Sequence, residues 1–235
     1  MVLRVSEHYV STQGEGPRVG LPTQFLRFGG CNLRCPGWPC DTQHAIDPKY
    51  RNEWTKLEYT DIIQRAIELR DETGATNVCF TGGEPFLQPN DDLMLLFKNL
   101  ERMGFTVECF SNGTLLYPHW ATDIRFVVDW KLNGSGEKDI NVQTRWKNLF
   151  TLATSDYEQA VKFVLNDESD LDDAERIYSH FARMELQCLQ VFYGRVWQSK
   201  WTDAEMIEAV LKRKLPWRLN IQVHNYIWAP HERAR

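Results

Sequence analysis

Cys31, Cys35 and Cys40 share one short stretch, spaced C-x3-C-x4-C, while the chain's other three cysteines, Cys79, Cys109 and Cys188, are scattered. Thiolates are ligands for soft or borderline metals, among them zinc, copper(I) and iron–sulfur clusters. Pro36, Gly37, Pro39 and Pro48 make the stretch a loop, and three unligated thiols on such a loop are the weakest explanation of the clustering. Spacing alone leaves two metal readings open. In one, His44 completes a tetrahedral zinc site as C-x3-C-x4-C-x3-H. In the other, three cysteines hold three irons of a [4Fe–4S] cluster and leave the fourth iron open, in contrast to the four-cysteine ligation of ferredoxins.

Other residues capable of chemistry follow hydrophobic runs. Gly82-Gly83-Glu84-Pro85 follows NVCFT (77–81), Ser111-Asn112-Gly113-Thr114 follows 105–110, Lys131 follows 124–130, and His224 ends 218–223. Each run reads as a strand, as do 24–28, 161–165 and 187–192. Helical patterns separate them. One opens at Thr60-Asp61, aligns Ile62, Ile63, Ala66 and Ile67, and stops at Gly74. A second is capped by Asn90-Asp91-Asp92 and aligns Leu93, Leu96, Phe97, Leu100 and Met103 before Gly104. Two more lie near 171–184 and 202–213, the latter with a Thr202–Glu205 capping box. The loop at about 29–54 is the longest stretch without such periodicity. Alternating strands and helices predict an α/β fold with mostly parallel strands. Chemistry gathered at carboxyl ends of strands is the layout of a (β/α) barrel or part of one.

Within TQFLRF, Thr23, Phe25 and Arg27 share a face by the period of two. An arginine on a barrel-facing stripe is costly unless it meets an anion. Its planar fork suits a carboxylate, and a salt bridge within the protein would serve as well.

The composition bounds the rest. The 235 residues fit one domain, 1–235, and 43% hydrophobic residues are ordinary for a globular protein. Twenty-seven basic and 32 acidic side chains give a net charge of −5, which argues against a surface that coats nucleic acid. No apolar run approaches the roughly 20 residues of a membrane span, and MVLRVSEHYV lacks a signal-peptide core. A cytoplasmic protein is expected, where thiols stay reduced.

Several segments together resemble the radical S-adenosylmethionine (SAM) superfamily and, within it, the 7-carboxy-7-deazaguanine synthases. They are STQGEGPRVGLPTQFLRFGGCNLRC (11–35), CDT (40–42), TGGEPFLQ (81–88), SNGT (111–114), KFVLND (162–167) and RLNIQVHNYIW (218–228). The resembled family usually has C-x3-C-x2-C with an aromatic residue before the third cysteine. Here the last gap is PGWP, with Trp38 two residues before Cys40, so the loop carries two extra residues that Pro36 and Pro39 stiffen. Relatives also carry Ser-Pro-Lys where this chain has Asp129-Trp130-Lys131, and commonly end about at Pro230, where this chain continues as HERAR.

The resemblance implies an incomplete (β/α) barrel of the radical SAM type. It implies Cys31, Cys35 and Cys40 as ligands of a [4Fe–4S] cluster, and SAM contacts from Asp41, Gly82, Gly83, Glu84, Ser111, Asp129, Trp130, Lys131 and Gln190. Thr42 would hold Mg²⁺ through its hydroxyl, in keeping with that ion's taste for oxygen. The implied substrate is 6-carboxy-5,6,7,8-tetrahydropterin, met by Thr12, Gln13, Gly14, Glu15, Arg27, Thr81 and His224. Glu15 would accept the parallel N–H groups of the pterin edge and Arg27 would take the carboxylate. Beyond cluster and SAM no catalytic residue is assigned. A one-electron reductant such as flavodoxin, a homodimer, and no membrane or direct nucleic-acid partner complete the expectation, with a product feeding 7-deazapurines such as queuosine. Two other readings compete: a glycyl-radical activating enzyme, and a zinc-stabilised nucleic-acid-binding module built on Cys31, Cys35, Cys40 and His44.

Overall fold

A computed structural model describes residues 2–38, 40–196 and 198–228. Pro39 on the cysteine loop, and Pro230 with the residues after it, lie outside them. The chain packs as two compact units, one of residues 1–32, 42–111 and 222–235, the other of 33–41 and 112–221.

In the first unit β1 (Leu3–Thr12) runs antiparallel to β2 (Pro22–Phe28), with QGEG in the connection. The cysteine loop leads back into a short helix, α1 (Gln43–Ile46), and a 3₁₀ turn, Pro48–Glu53. Next comes β3 (Thr55–Leu57), antiparallel to β1. The expected long loop thus holds two short helical pieces. Helix α2 (Tyr59–Thr73) buries Ile62, Ile63, Ala66 and Leu69, begins with a Glu58–Asp61 capping box and ends at Gly74, whose φ of 77° only glycine adopts without strain. β4 (Asn77–Gly82) lies parallel to β2. Helix α3 (Asn90–Arg102) buries Leu93, Leu96, Phe97 and Leu100, with Pro89 rather than Asn90 at its N-cap. β5 (Thr106–Ser111) lies parallel to β4.

A partly buried histidine on this unit gives it an acid sensitivity. The His8 ring shares a 3.3 Å hydrogen bond with Gln24, whose amide nitrogen donates to the carbonyls of Ala66 and Ala75. Burial lowers the His8 pKa from 6.5 to about 4, Arg65 adds to the lowering, and the Gln24 bond opposes it. The unfolded chain takes this proton near pH 6.5 and the folded chain only near 4, so stability falls as the pH drops through that interval. His8→Gln is expected to flatten the pH dependence of the urea midpoint between about pH 7 and about pH 4. An unchanged slope would assign the proton to another group.

In the second unit β6 (Arg125–Trp130), β7 (Ala160–Leu165), β8 (Gln190–Arg195) and β9 (Arg218–Leu219) lie side by side, all parallel. Helices α4 (Val142–Ala153), α5 (Glu168–Arg183) and α6 (Asp203–Lys212) intervene, α6 with the expected Thr202–Glu205 capping box. Trp130 packs at a tilt against Trp146, with ring centroids 4.7 Å apart, and Trp217 packs among Phe163, Tyr178 and Tyr193. The last expected strand, 218–223, is reduced to two residues. His224 does not end a strand but opens a short helix, α7 (His224–Ile227), which returns to the first unit. No helix among the described residues is long and apolar enough to cross a membrane.

Candidate active site

In the first unit the carboxyl ends of β2 and β4 are laced together. The Gly83 amide donates to the Phe28 carbonyl at 3.0 Å and the Glu84 amide to the Gly30 carbonyl at 2.8 Å. A Cβ at Gly83 would lie 1.8 Å from the Gly30 oxygen, and one at Gly82, at φ 105°, 2.5 Å from the Phe28 oxygen. The sequence suggests that these glycines let backbone approach a ligand. The structure shows them approaching the backbone that leads into Cys31. Glu84 is fully buried, and its carboxylate accepts from the Phe86 amide and, at 2.9 Å, from the Ser111 hydroxyl. Two residues implied for SAM, Glu84 and Ser111, are therefore in contact. The Thr42 hydroxyl donates to the Gly82 carbonyl at 3.3 Å, and a hydroxyl oxygen is the kind of donor that a hard cation takes.

The residues implied for the pterin belong to the same unit. Thr12 ends β1, paired with Pro22, and Thr81 pairs with Arg27 across β4 and β2. The Gln13 side chain donates to the buried carboxylate of Glu108 and accepts from the Glu15 amide at 3.3 Å, which fixes the QGEG turn. Gly14 accepts from the Val223 amide, and a Cβ on it would meet the His224 ring at 2.4 Å. His224 thus packs on QGEG although two hundred residues separate them. Arg27 has an anion within the protein. Its Nε lies 3.1 Å from Glu7, its Nη2 donates to the Tyr9 hydroxyl at 3.0 Å, and its guanidinium lies over the Tyr9 and Phe25 rings. Glu7 also pairs with His44 at 3.1 Å, so the histidine of the zinc reading is committed to a carboxylate.

In the second unit Lys131 follows β6 and forms a 2.9 Å ion pair with Asp129. Burial works against both charges. Lys131, Lys162 and Arg145 outweigh it for Asp129, whose pKa is held low. For Lys131, Asp129 and the thiols of Cys35 and Cys40 outweigh it and raise the pKa. Burial pushes the Cys35 thiol up, and Lys131 pulls it back. Asp41 lies beside Cys40. The Trp130 side chain is buried in the core against Trp146, with Arg145 over its ring. Gln190 lies at the start of β8, where the sequence places it inside a strand at 187–192. It pairs at the level of Ala160, three residues toward the amino edge from Trp130, and accepts a hydrogen bond from Arg218. Its distance along the strands, about 10 Å, removes it from the Lys131 edge.

Cys31, Cys35 and Cys40 form no disulfide and are partly exposed, whereas Cys79 and Cys109 are buried on β4 and β5. Cys31 belongs to the first unit, Cys35 and Cys40 to the second. Among the described residues no three His, Cys, Asp or Glu side chains are already gathered as a metal site. The donor chemistry nevertheless fits an iron–sulfur cluster: three accessible soft ligands on one loop, with the cation of Lys131 beside two of them to offset thiolate charge.

Comparison with known proteins agrees. Residues 26–130 match the model of the radical SAM superfamily. The chain is 32% identical to a 7-carboxy-7-deazaguanine synthase of Methanospirillum hungatei over 230 residues, 97% of this chain and 86% of that protein. It is 30% identical to one of Clostridium acetobutylicum over the full length of both. The crystal structure of QueE from Escherichia coli superimposes with a TM-score of 0.69 over 94% of each chain at 23% identity, which shows the mostly parallel α/β fold expected from the sequence. The chain belongs to the 7-carboxy-7-deazaguanine synthase family of the radical SAM superfamily.

Proposed function

We propose that the chain converts 6-carboxy-5,6,7,8-tetrahydropterin to 7-carboxy-7-deazaguanine with loss of ammonia. The observation that carries this reading is the packing of His224 on Gly14 beside Gln13 and Glu15, in the unit that also holds Arg27. A hydrogen-bonding turn and a carboxylate-binding side chain complement the two ends of a carboxypterin. Family membership implies a [4Fe–4S] cluster and SAM. Cys31, Cys35 and Cys40 would hold the cluster, and the edge of Gly82, Gly83, Glu84 and Ser111, with Asp41, Asp129 and Lys131, would border SAM. When bound, these cofactors would supply the one-electron chemistry that removes hydrogen from the substrate. The protein's own part is to orient and enclose. Glu15 and Arg27 fix the two ends of the pterin, Lys131 sets positive charge beside the thiolates, and Thr42 offers an oxygen to Mg²⁺, which can act as template and Lewis acid. A single working domain, a cytoplasmic homodimer and an external donor such as flavodoxin belong to the same reading.

Anaerobic reconstitution with iron, sulfide, SAM and a reductant is expected to consume the carboxypterin and release ammonia. SAM cleavage without pterin consumption would overturn the substrate assignment. Thr42→Ala is expected to lose most Mg²⁺ stimulation of turnover while retaining iron and SAM binding, with Thr42→Ser near the parent. Superimposable Mg²⁺ titrations would remove Thr42 from the metal.

A further inference from the structure

The lengthened Cys35–Cys40 gap is met by a dedicated surface. Glu137 Oε1 accepts from the backbone amides of Arg34, at 2.9 Å, and Cys35, at 3.2 Å. Two successive N–H groups aimed at one anionic oxygen is the way turns bind anions. Cys35 stands at φ 45°, a left-handed conformation that a residue with a Cβ keeps only when its surroundings impose it. Two residues further, the Gly37 amide donates to the Ser135 carbonyl at 3.2 Å. The two segments meet backbone to backbone. A Cβ at Gly37 would lie 1.7 Å from the Gly134 oxygen, and one at Gly136 would lie 2.7 Å from the Pro36 ring.

The segment 131–138 that offers these contacts is itself closed from below. Arg145, fully buried on α4, donates to the carbonyls of Lys131 at 3.1 Å, Lys138 at 3.2 Å and Glu137 at 2.7 Å, so one guanidinium pins both ends. Asp170, fully buried on α5, accepts from the Gly134 amide at 2.6 Å, and Asp173 accepts from the Asn133 amide at 3.1 Å. Ser135 bridges the Leu132 carbonyl and the Glu137 amide. All of these groups belong to the second unit.

We propose that Glu137 is a positioning residue for Cys35, holding the lengthened cysteine loop against the 131–138 segment before any metal arrives. The proposal rests on the reading of Cys35 as a cluster ligand. Its test begins with the metal-free chain, where that reading has no influence. Hydrogen exchange at the amides of Arg34 and Cys35 is expected to accelerate at least about tenfold in Glu137→Ala, the melting temperature staying close to the parent's. Glu137→Gln, which keeps the accepting oxygen, is expected to restore protection. On reconstitution Glu137→Ala is expected to take up less iron and to show an altered electron paramagnetic resonance signal, with Glu137→Gln near the parent. Unchanged exchange in Glu137→Ala overturns the proposal. So does faster exchange accompanied by a parental iron content and spectrum, since Glu137 would then hold the loop without placing the ligand. Failure of the underlying reading shows separately, as a full cluster in Cys35→Ala.

Discussion

Arg27→Ala is expected to bind a 6-carboxypterin about one and a half to three and a half decades more weakly than the parent chain. Breaking a buried charged hydrogen bond costs roughly 2–5 kcal/mol, and each decade of affinity is about 1.4 kcal/mol. The geometry sharpens the expectation. Arg27 is also the cation of Glu7, itself only 15% exposed. Its removal would take away the guanidinium beside that carboxylate, which also pairs with His44. Arg27→Lys is expected to rescue little, because a single ammonium cannot span Glu7 and Tyr9 and still present a fork. A pterin lacking the carboxylate is expected to lose much less in Arg27→Ala, whereas Glu15→Ala is expected to weaken both. Titrations of the two pterins in the presence of SAM decide the matter. Equal losses in Arg27→Ala would show that Arg27 is not the carboxylate clamp.

Cys31→Ala, Cys35→Ala and Cys40→Ala are each expected to abolish a stable [4Fe–4S] cluster, and Cys79→Ala, Cys109→Ala and Cys188→Ala to retain one. Cys79 and Cys109 are fully enclosed, and burial foremost, with Glu108 and Glu84 as nearby carboxylates, pushes their thiols well above the ordinary range. A thiol that does not ionise is a poor ligand. Replacing either by alanine is expected to cost stability, through the small cavity left, without loss of iron. Iron and sulfide per chain, measured after anaerobic reconstitution, is the readout. A full complement in Cys40→Ala would strike at the lengthened spacing as a ligand set.

The sequence shows α2, α3 and α6 plainly because their apolar positions recur at helical spacing between a cap and a stop. β1 escapes because only Leu3 and Val5 of its ten residues are buried and Glu7, His8 and Tyr9 interrupt the alternation. α4 escapes for a related reason. It starts from Asn141 in a left-handed conformation with no side-chain cap, and its buried face includes Arg145 and Asn148. Val142, Trp146, Leu149 and Leu152 carried the missing signal. The site residues were legible as types, but their partners depend on register. That Arg27 faces Glu7 follows from the pairing of β1 with β2, where a bulge between Val5 and Glu7 shifts the ladder. Spacing along one strand says nothing of such a shift. The strand expected at 187–192 lies at 190–195 for the same reason, since pairing with β7 and not spacing sets where it begins.

The loop 33–41 belongs with residues 112–221, and the acceptor of its Arg34 amide lies 103 residues further along the chain. A ribosome adding about 5–20 residues per second reaches Glu137 only some 5–20 s after Arg34. Throughout that interval Cys35 and Cys40 ride on a nascent segment whose docking surface has not been made. With Cys35 and Cys40 as the proposed ligands, a cluster placed against that surface has to await translation of the chain's second half. Slow codons between these points lengthen the time in which the thiols must be kept reduced by the cell and not by the fold.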